Sequence, residues 1–148
     1  MKNFFQIFIV ATLCCSIFAS CEKDSNIGSM ADLLGTYSVT VEDYVIWGAD
    51  DGTIHDKGTI TITQIDEDRV QLRGLISTKG RLKDGKLYLE STTNTDSYGY
   101  ITRTYDSALF GGGILTIFSY ATGQLASTPN GTRYPYKSSC YFEGRKVE

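Results

Sequence analysis

The chain has 148 residues, with 14 basic against 17 acidic side chains and a formal net charge of −3. That length holds one domain with one core, and the mildly acidic balance argues against nucleic acid as a partner. Ten tyrosines, fifteen glycines and only two prolines, set among many Thr, Val and Ile, favour strands joined by tight turns.

The N-terminus opens with one positive charge, Lys2, followed by an apolar run from Phe4 to Phe18. That is the layout of a secretory signal, and the run is short for a membrane span, which needs about 20 apolar residues. It ends in Phe18-Ala19-Ser20-Cys21. Small residues directly before a cysteine, at the end of such a run, resemble the lipobox of bacterial lipoproteins, with Phe18 where that family prefers an aliphatic residue. The resemblance implies that Cys21 becomes the first residue of the mature protein and carries acyl chains. Cys14 and Cys15 then leave with the signal, and Cys140 is the only other thiol of the four. The alternatives are an ordinary signal peptide or a short anchor. Each buried methylene contributes about 0.8 kcal/mol, so several acyl chains hold a protein on its membrane. The segment after Cys21, Glu22-Lys23-Asp24-Ser25-Asn26-Ile27-Gly28, is a polar tether, and its acidic-basic-acidic start is similar to that of small outer-membrane lipoproteins of the Bacteroidetes. The expected organisation is a signal at 1–20, a lipidated cysteine and tether at 21–28, and a β domain at 29–148. The expected location is the cell envelope, lipid-anchored at the outer membrane, on either its periplasmic or its surface face.

Ser29-Met30-Ala31-Asp32 has the spacing of a helix cap, and Leu33, Leu34 and Gly35 complete one short turn. The pattern then becomes period two. Tyr37, Val39 and Val41 alternate with Ser38, Thr40 and Glu42; Ile60 and Ile62 alternate with threonines; Val70 and Leu72 alternate with Arg69, Gln71 and Arg73. Each reads as a strand with one buried and one wet face. Residues 48–56 read as an acidic, glycine-flanked loop. Asp84-Gly85, between Leu82 and Leu87, is a strong two-residue hairpin signal; it pairs Lys83 with Lys86 and places both leucines on one face. Further strands are expected near 98–105, 114–120 and 134–143, with a reversal at Asn130-Gly131. With no long helix to supply parallel crossovers, the expected fold is all-β: an antiparallel up-and-down meander of about 7–9 strands, closed as a barrel or, as second choice, folded as a sandwich.

Leu33-Leu34-Gly35-Thr36-Tyr37, opening the first strand after a helical turn, resembles the start of lipocalin-like (calycin) barrels, which typically begin Gly-x-Trp. Here Tyr37 stands in place of the tryptophan, and the family's later Thr-Asp-Tyr-type motif has no clear counterpart.

Residues with catalytic chemistry are sparse, and the expectation is a non-enzymatic protein without cofactors. His55 is the only histidine and lacks the cysteine partners of a usual zinc set. Asp50, Asp51 and Asp56 could offer oxygens to calcium, but their spacing misses the EF-hand loop. Cys140 shares its strand phase with Tyr136, Ser138 and Phe142 and reads as a packed thiol. Gly111-Gly112-Gly113 leads into a strand, so it marks a bend and not a phosphate loop. Arg69, Arg73, Arg81, Lys83 and Lys86 form a basic stretch, read either as an anion-binding face or as a solvated outer face.

The strand Tyr98 to Tyr105 is less plain. One face carries Tyr98, Tyr100, Thr102 and Thr104; the other carries Gly99, Ile101, Arg103 and Tyr105. Arg103 is either exposed on an aromatic outer strand, the plainer reading, or turned inward. The calycin resemblance implies an inward arginine that meets a carboxylate; its removal is expected to leave the fold intact, because it relieves the desolvation cost of an interior charge without a ligand. Trp47, Tyr98, Tyr100, Tyr105 and Arg103 are the ligand-binding candidates. The leading expectation is a small apolar or amphipathic ligand bound within the barrel. The rivals are an envelope protein-interaction or inhibitor module acting through loops, and surface glycan binding by exposed aromatics such as Trp47 and Tyr44. A void of roughly 300 Å³ or more inside the barrel favours the first, and a filled core favours the loops or the outer face.

Overall fold

The computed structural model describes residues 28–147; the expected signal, Cys21 and most of the expected tether lie outside the described residues. The chain enters through one helical turn, α1 (Met30–Leu33). Ser29 caps it: the Asp32 amide donates to Ser29 Oγ at 3.3 Å, and the Ser29 hydroxyl donates to the Asp32 carboxylate at 2.8 Å. This reciprocal pair satisfies a donor that the start of a helix otherwise leaves free.

Nine strands follow: β1 (Gly35–Trp47), β2 (Asp50–Gln64), β3 (Arg69–Gly74), β4 (Thr78–Lys83), β5 (Lys86–Leu89), β6 (Thr92–Asp96), β7 (Gly99–Gly111), β8 (Ile114–Ala126) and β9 (Arg133–Lys146). All pair antiparallel, in the order β5-β4-β3-β2-β1-β9-β8-β7-β6, and Leu87 of β5 pairs with Ala108 of β7 to close the ring. The result is a closed eight-stranded up-and-down barrel, consistent with a lipocalin-like one. The ninth strand, β6, stays outside the ring and pairs with the first half of β7.

The turns follow their chemistry. Asp84 and Gly85 both have positive φ, 52° and 69°, as a type I′ turn requires. Lys83 pairs with Lys86 and Leu82 with Leu87. Gly112 and Gly113, at φ 59° and 75°, make the bend between β7 and β8. One expectation is corrected. Residues 50–56 are not a loop: β2 begins at Asp50, directly after a tight turn at Gly48-Ala49, and pairs with β1 from Asp50 to Ile62. Charge and glycine disfavour a strand locally, but thirteen residues of β1 supply a ladder that outweighs this.

The apolar core fills one half of the barrel. Tyr37, Ile60, Ile62, Leu72, Leu115 and Ile117 are each 0–1% exposed, and burying a side chain of this size contributes about 1.5–3 kcal/mol. Leu33 of α1 plugs that end. The Tyr37 hydroxyl donates to the Leu33 carbonyl at 2.7 Å, and its ring meets Phe110 edge-on at 6.1 Å. Burial, with the nearby Asp32 charge, pushes the Tyr37 hydroxyl up to about 12.

The other half opens. β3 pairs only with Ile60–Gln64 of β2, so residues 50–58 of β2 have β1 as their one strand partner. β6 likewise has only β7. Between these two free edges the wall parts, and the inner surfaces of β7, β8, β9 and β1 face the opening.

Candidate functional site in the open half of the barrel

Register places the inward side chains in rungs. Asp43, Cys140, Ser119 and Tyr105 stand opposite one another across β1, β9, β8 and β7; the next rung holds Val45, Ser138, Ala121 and Arg103; the next holds Trp47, Tyr136, Gly123 and Ile101. The first two rungs carry a polar layer that lies between the apolar core and the opening.

Arg103 turns inward, against the plainer expectation of an exposed side chain. Its guanidinium donates to Ser119 Oγ at 2.9 Å and lies 3.8 Å from Asp43 Oδ2. The side chains of Arg103 and Asp43 are 21% and 17% exposed. Asp43 is therefore the counter-charge that an interior arginine requires. The expectation that Arg103 is dispensable for the fold is corrected on the same ground, because its removal leaves Asp43 half-buried without its partner. Two oxygens in this layer, Asp43 Oδ1 and Ser138 Oγ, are buried with no hydrogen-bond partner among the described residues.

Cys140 sits in the middle of the layer, 4% exposed. Burial first, then the Asp43 charge, pushes its thiol up to about 11, with Arg103 pulling the other way. A thiol in that range is neutral and inert at physiological pH. Burial also raises Tyr105. Trp47 reaches across the mouth, its indole N–H donating to the Leu125 carbonyl at 3.0 Å.

Of the candidates read from the sequence, the structure therefore brings Arg103, Tyr105 and Trp47 to the inner face. Tyr98 and Tyr100 are not with them: both are more than 40% exposed, Tyr98 in the β6–β7 turn and Tyr100 on the outer face. Asp43, Ser119 and Ser138 were missed. Their signal was present, since each falls on the buried phase of its strand: Asp43 continues the series Tyr37, Val39, Val41.

The remaining candidates scatter. His55 is exposed on the outer face of β2, opposite Glu42. Alternation along β2 puts Asp50 and Asp56 on the face opposite Asp51, which accepts the Tyr44 hydroxyl at 2.7 Å. In the basic stretch, Arg69 and Arg81 pair with Asp66 and Asp68, as a solvated face does.

Cavities of about 390, 350 and 480 Å³ lie on the outer face around Ser139, at the β5–β7 seam beside Leu87 and Ala108, and beside Gly112 at the α1 end. None of these three is an internal void. The space that the polar layer faces is the flare between β2 and β6. No protein-family model, curated protein or solved structure matches the chain.

Proposed function

We propose that the protein is a lipid-anchored envelope protein that binds a small amphipathic molecule, head first, in the open half of its barrel, without catalysing a reaction. The observation that supports this reading is the polar layer itself. Arg103, Ser119, Asp43 and Ser138 converge beneath the opening, and two of their oxygens have no partner among the described residues. An unsatisfied buried polar atom costs about 1–3 kcal/mol, and a ligand head group that reaches it recovers part of that cost. Asp43 already offsets the Arg103 charge, so a bare carboxylate meets a competing anion. A hydroxyl or amide head group, which donates to Asp43 Oδ1 and exchanges a hydrogen bond with Ser138 Oγ, suits the layer better than the carboxylate expected from sequence. The apolar part then lies along Val45, Trp47 and Ile101 toward the flare.

Trp47 is the only tryptophan, so its emission reports the mouth directly. The mature chain carrying Cys21→Ala, titrated with a ten-carbon monoacylglycerol and with the matching fatty acid, should show saturable change with both and tighter binding of the monoacylglycerol. Ser138→Val should weaken the monoacylglycerol by about tenfold, the scale of one lost hydrogen bond. Absence of saturation with either amphiphile overturns the ligand reading in favour of loop-mediated partner capture.

A further inference from the structure

The outer face of the same sheet carries a second, unrelated constellation. Period-two alternation sends Tyr44 of β1, Tyr141 of β9, and Phe118 and Tyr120 of β8 outward. Ser139, the small residue among them, lies opposite Tyr44 on one side and Tyr120 on the other. A small side chain ringed by four large ones makes a saucer of about 390 Å³ with aromatic walls. The Phe118 and Tyr141 rings pack at a centroid distance of 4.8 Å with a 49° tilt and form one wall as a unit.

The rim is acidic. Glu42 projects from β1, and Asp106 is carried to the saucer by the β-bulge that shifts the β7–β8 register between Tyr105 and Ser107. Bulges redirect side chains in this way. Neither carboxylate takes part in an ion pair among the described residues. Two further carboxylates lie behind the walls and hold the tyrosines: Tyr44 Oη donates to Asp51 at 2.7 Å, and Tyr141 Oη donates to Glu143 at 2.8 Å. A phenol that donates to a carboxylate gains electron density in its ring, and its ring is held in place before any ligand arrives. Lys137, opposite Ile46 and Thr122, stands one rung beyond the saucer and not within it.

Electron-rich ring faces attract cations and offer nothing to anions. Two uncompensated carboxylates at the rim add the same preference. We infer that this outer saucer is a binding site for a small organic cation, a quaternary ammonium group of the choline type, held by cation–π contact with Tyr44, Tyr120 and the Phe118–Tyr141 wall and by the charges of Glu42 and Asp106. A metal ion suits the saucer poorly, because among the described residues no three or more His, Cys, Asp or Glu side chains come together to hold one. A neutral sugar would use the rings but leave the two carboxylates without a counter-charge. The site is independent of the inner polar layer, since it lies on the opposite face of the same strands.

The test uses the full chain in a polyoxyethylene detergent, which has neither a cationic nor a sugar head group. Saturation-transfer NMR on the choline methyl protons, titrated to saturation, should give a dissociation constant in roughly the millimolar range. The neutral isostere 3,3-dimethylbutanol should bind about tenfold more weakly, because it has the shape without the charge. Ser139→Phe, an exposed position whose larger side chain fills the floor, should abolish the signal, and Glu42→Gln should weaken it about threefold. Circular dichroism of each variant should match the wild type. Equal binding of choline and its isostere, or binding retained by a folded Ser139→Phe, overturns the proposal. Saturable maltotriose without choline also overturns it and makes the face a glycan site.

Discussion

Replacing Arg103 by Met keeps most of the aliphatic stem and removes the charge that faces Asp43. At the observed 3.8 Å separation, an effective dielectric near 20 gives an attraction of about 4 kcal/mol. Both side chains keep some solvent contact, 21% and 17%, so water screens the pair and solvates the stranded carboxylate in part. The hydrogen bond to Ser119 Oγ is lost as well. The net destabilisation expected is about 2 kcal/mol, below the 3–5 typical when a fully buried pair is broken. With a urea slope of about 1–3 kcal/mol/M, the unfolding midpoint falls by roughly 1 M. Asp43→Asn should cost about 1 kcal/mol, because it removes the charge that faces the guanidinium, which keeps its hydrogen bond to Ser119 Oγ. The double variant should be no worse than Arg103→Met alone, a coupling of at least about 1 kcal/mol. An unchanged midpoint in Arg103→Met, or strictly additive effects, would refute the inward pairing.

Cys21→Ala should leave a precursor that incorporates no labelled fatty acid; acyl mass on the variant removes the lipobox reading. Cys140 should react slowly with a thiol reagent in the folded protein and rapidly in denaturant, and fast native labelling means that β9 is turned over. Stability should fall as pH rises from about 9, because the unfolded thiol then loses a proton that the folded thiol, raised from 9.0 to about 11, still holds. Denaturant melts at pH 8, 9.5 and 11 should show that excess loss, reduced in Cys140→Ala, with Tyr37 adding a further loss above pH 10. Gly99, at φ 149°, leaves no room for a side chain, since a Cβ there would meet the Gln124 carbonyl. Gly99→Ala should therefore destabilise by at least about 2 kcal/mol, and an unperturbed melting curve contradicts the β7–β8 geometry at Gly99.

The period-two runs, the Asp84-Gly85 turn and the capped entry at Ser29 determined most of the β meander from the sequence alone. Those signals are local: alternation depends only on neighbouring residues, and a type I′ turn depends on two. The strand at residues 50–56 was not legible, because its stability comes from β1, its neighbour across a turn, and not from its own acidic and glycine-rich composition. Ring closure was also out of reach, since it rests on pairing between Leu87 and Ala108, distant in sequence. The site shows the same division. Alternation told which residues share a face with Arg103, but not which face is inner. Asp43 decides that, because a guanidinium inside a barrel is tolerable only where an opposite charge meets it, and that meeting exists only once β1, β9, β8 and β7 have come together.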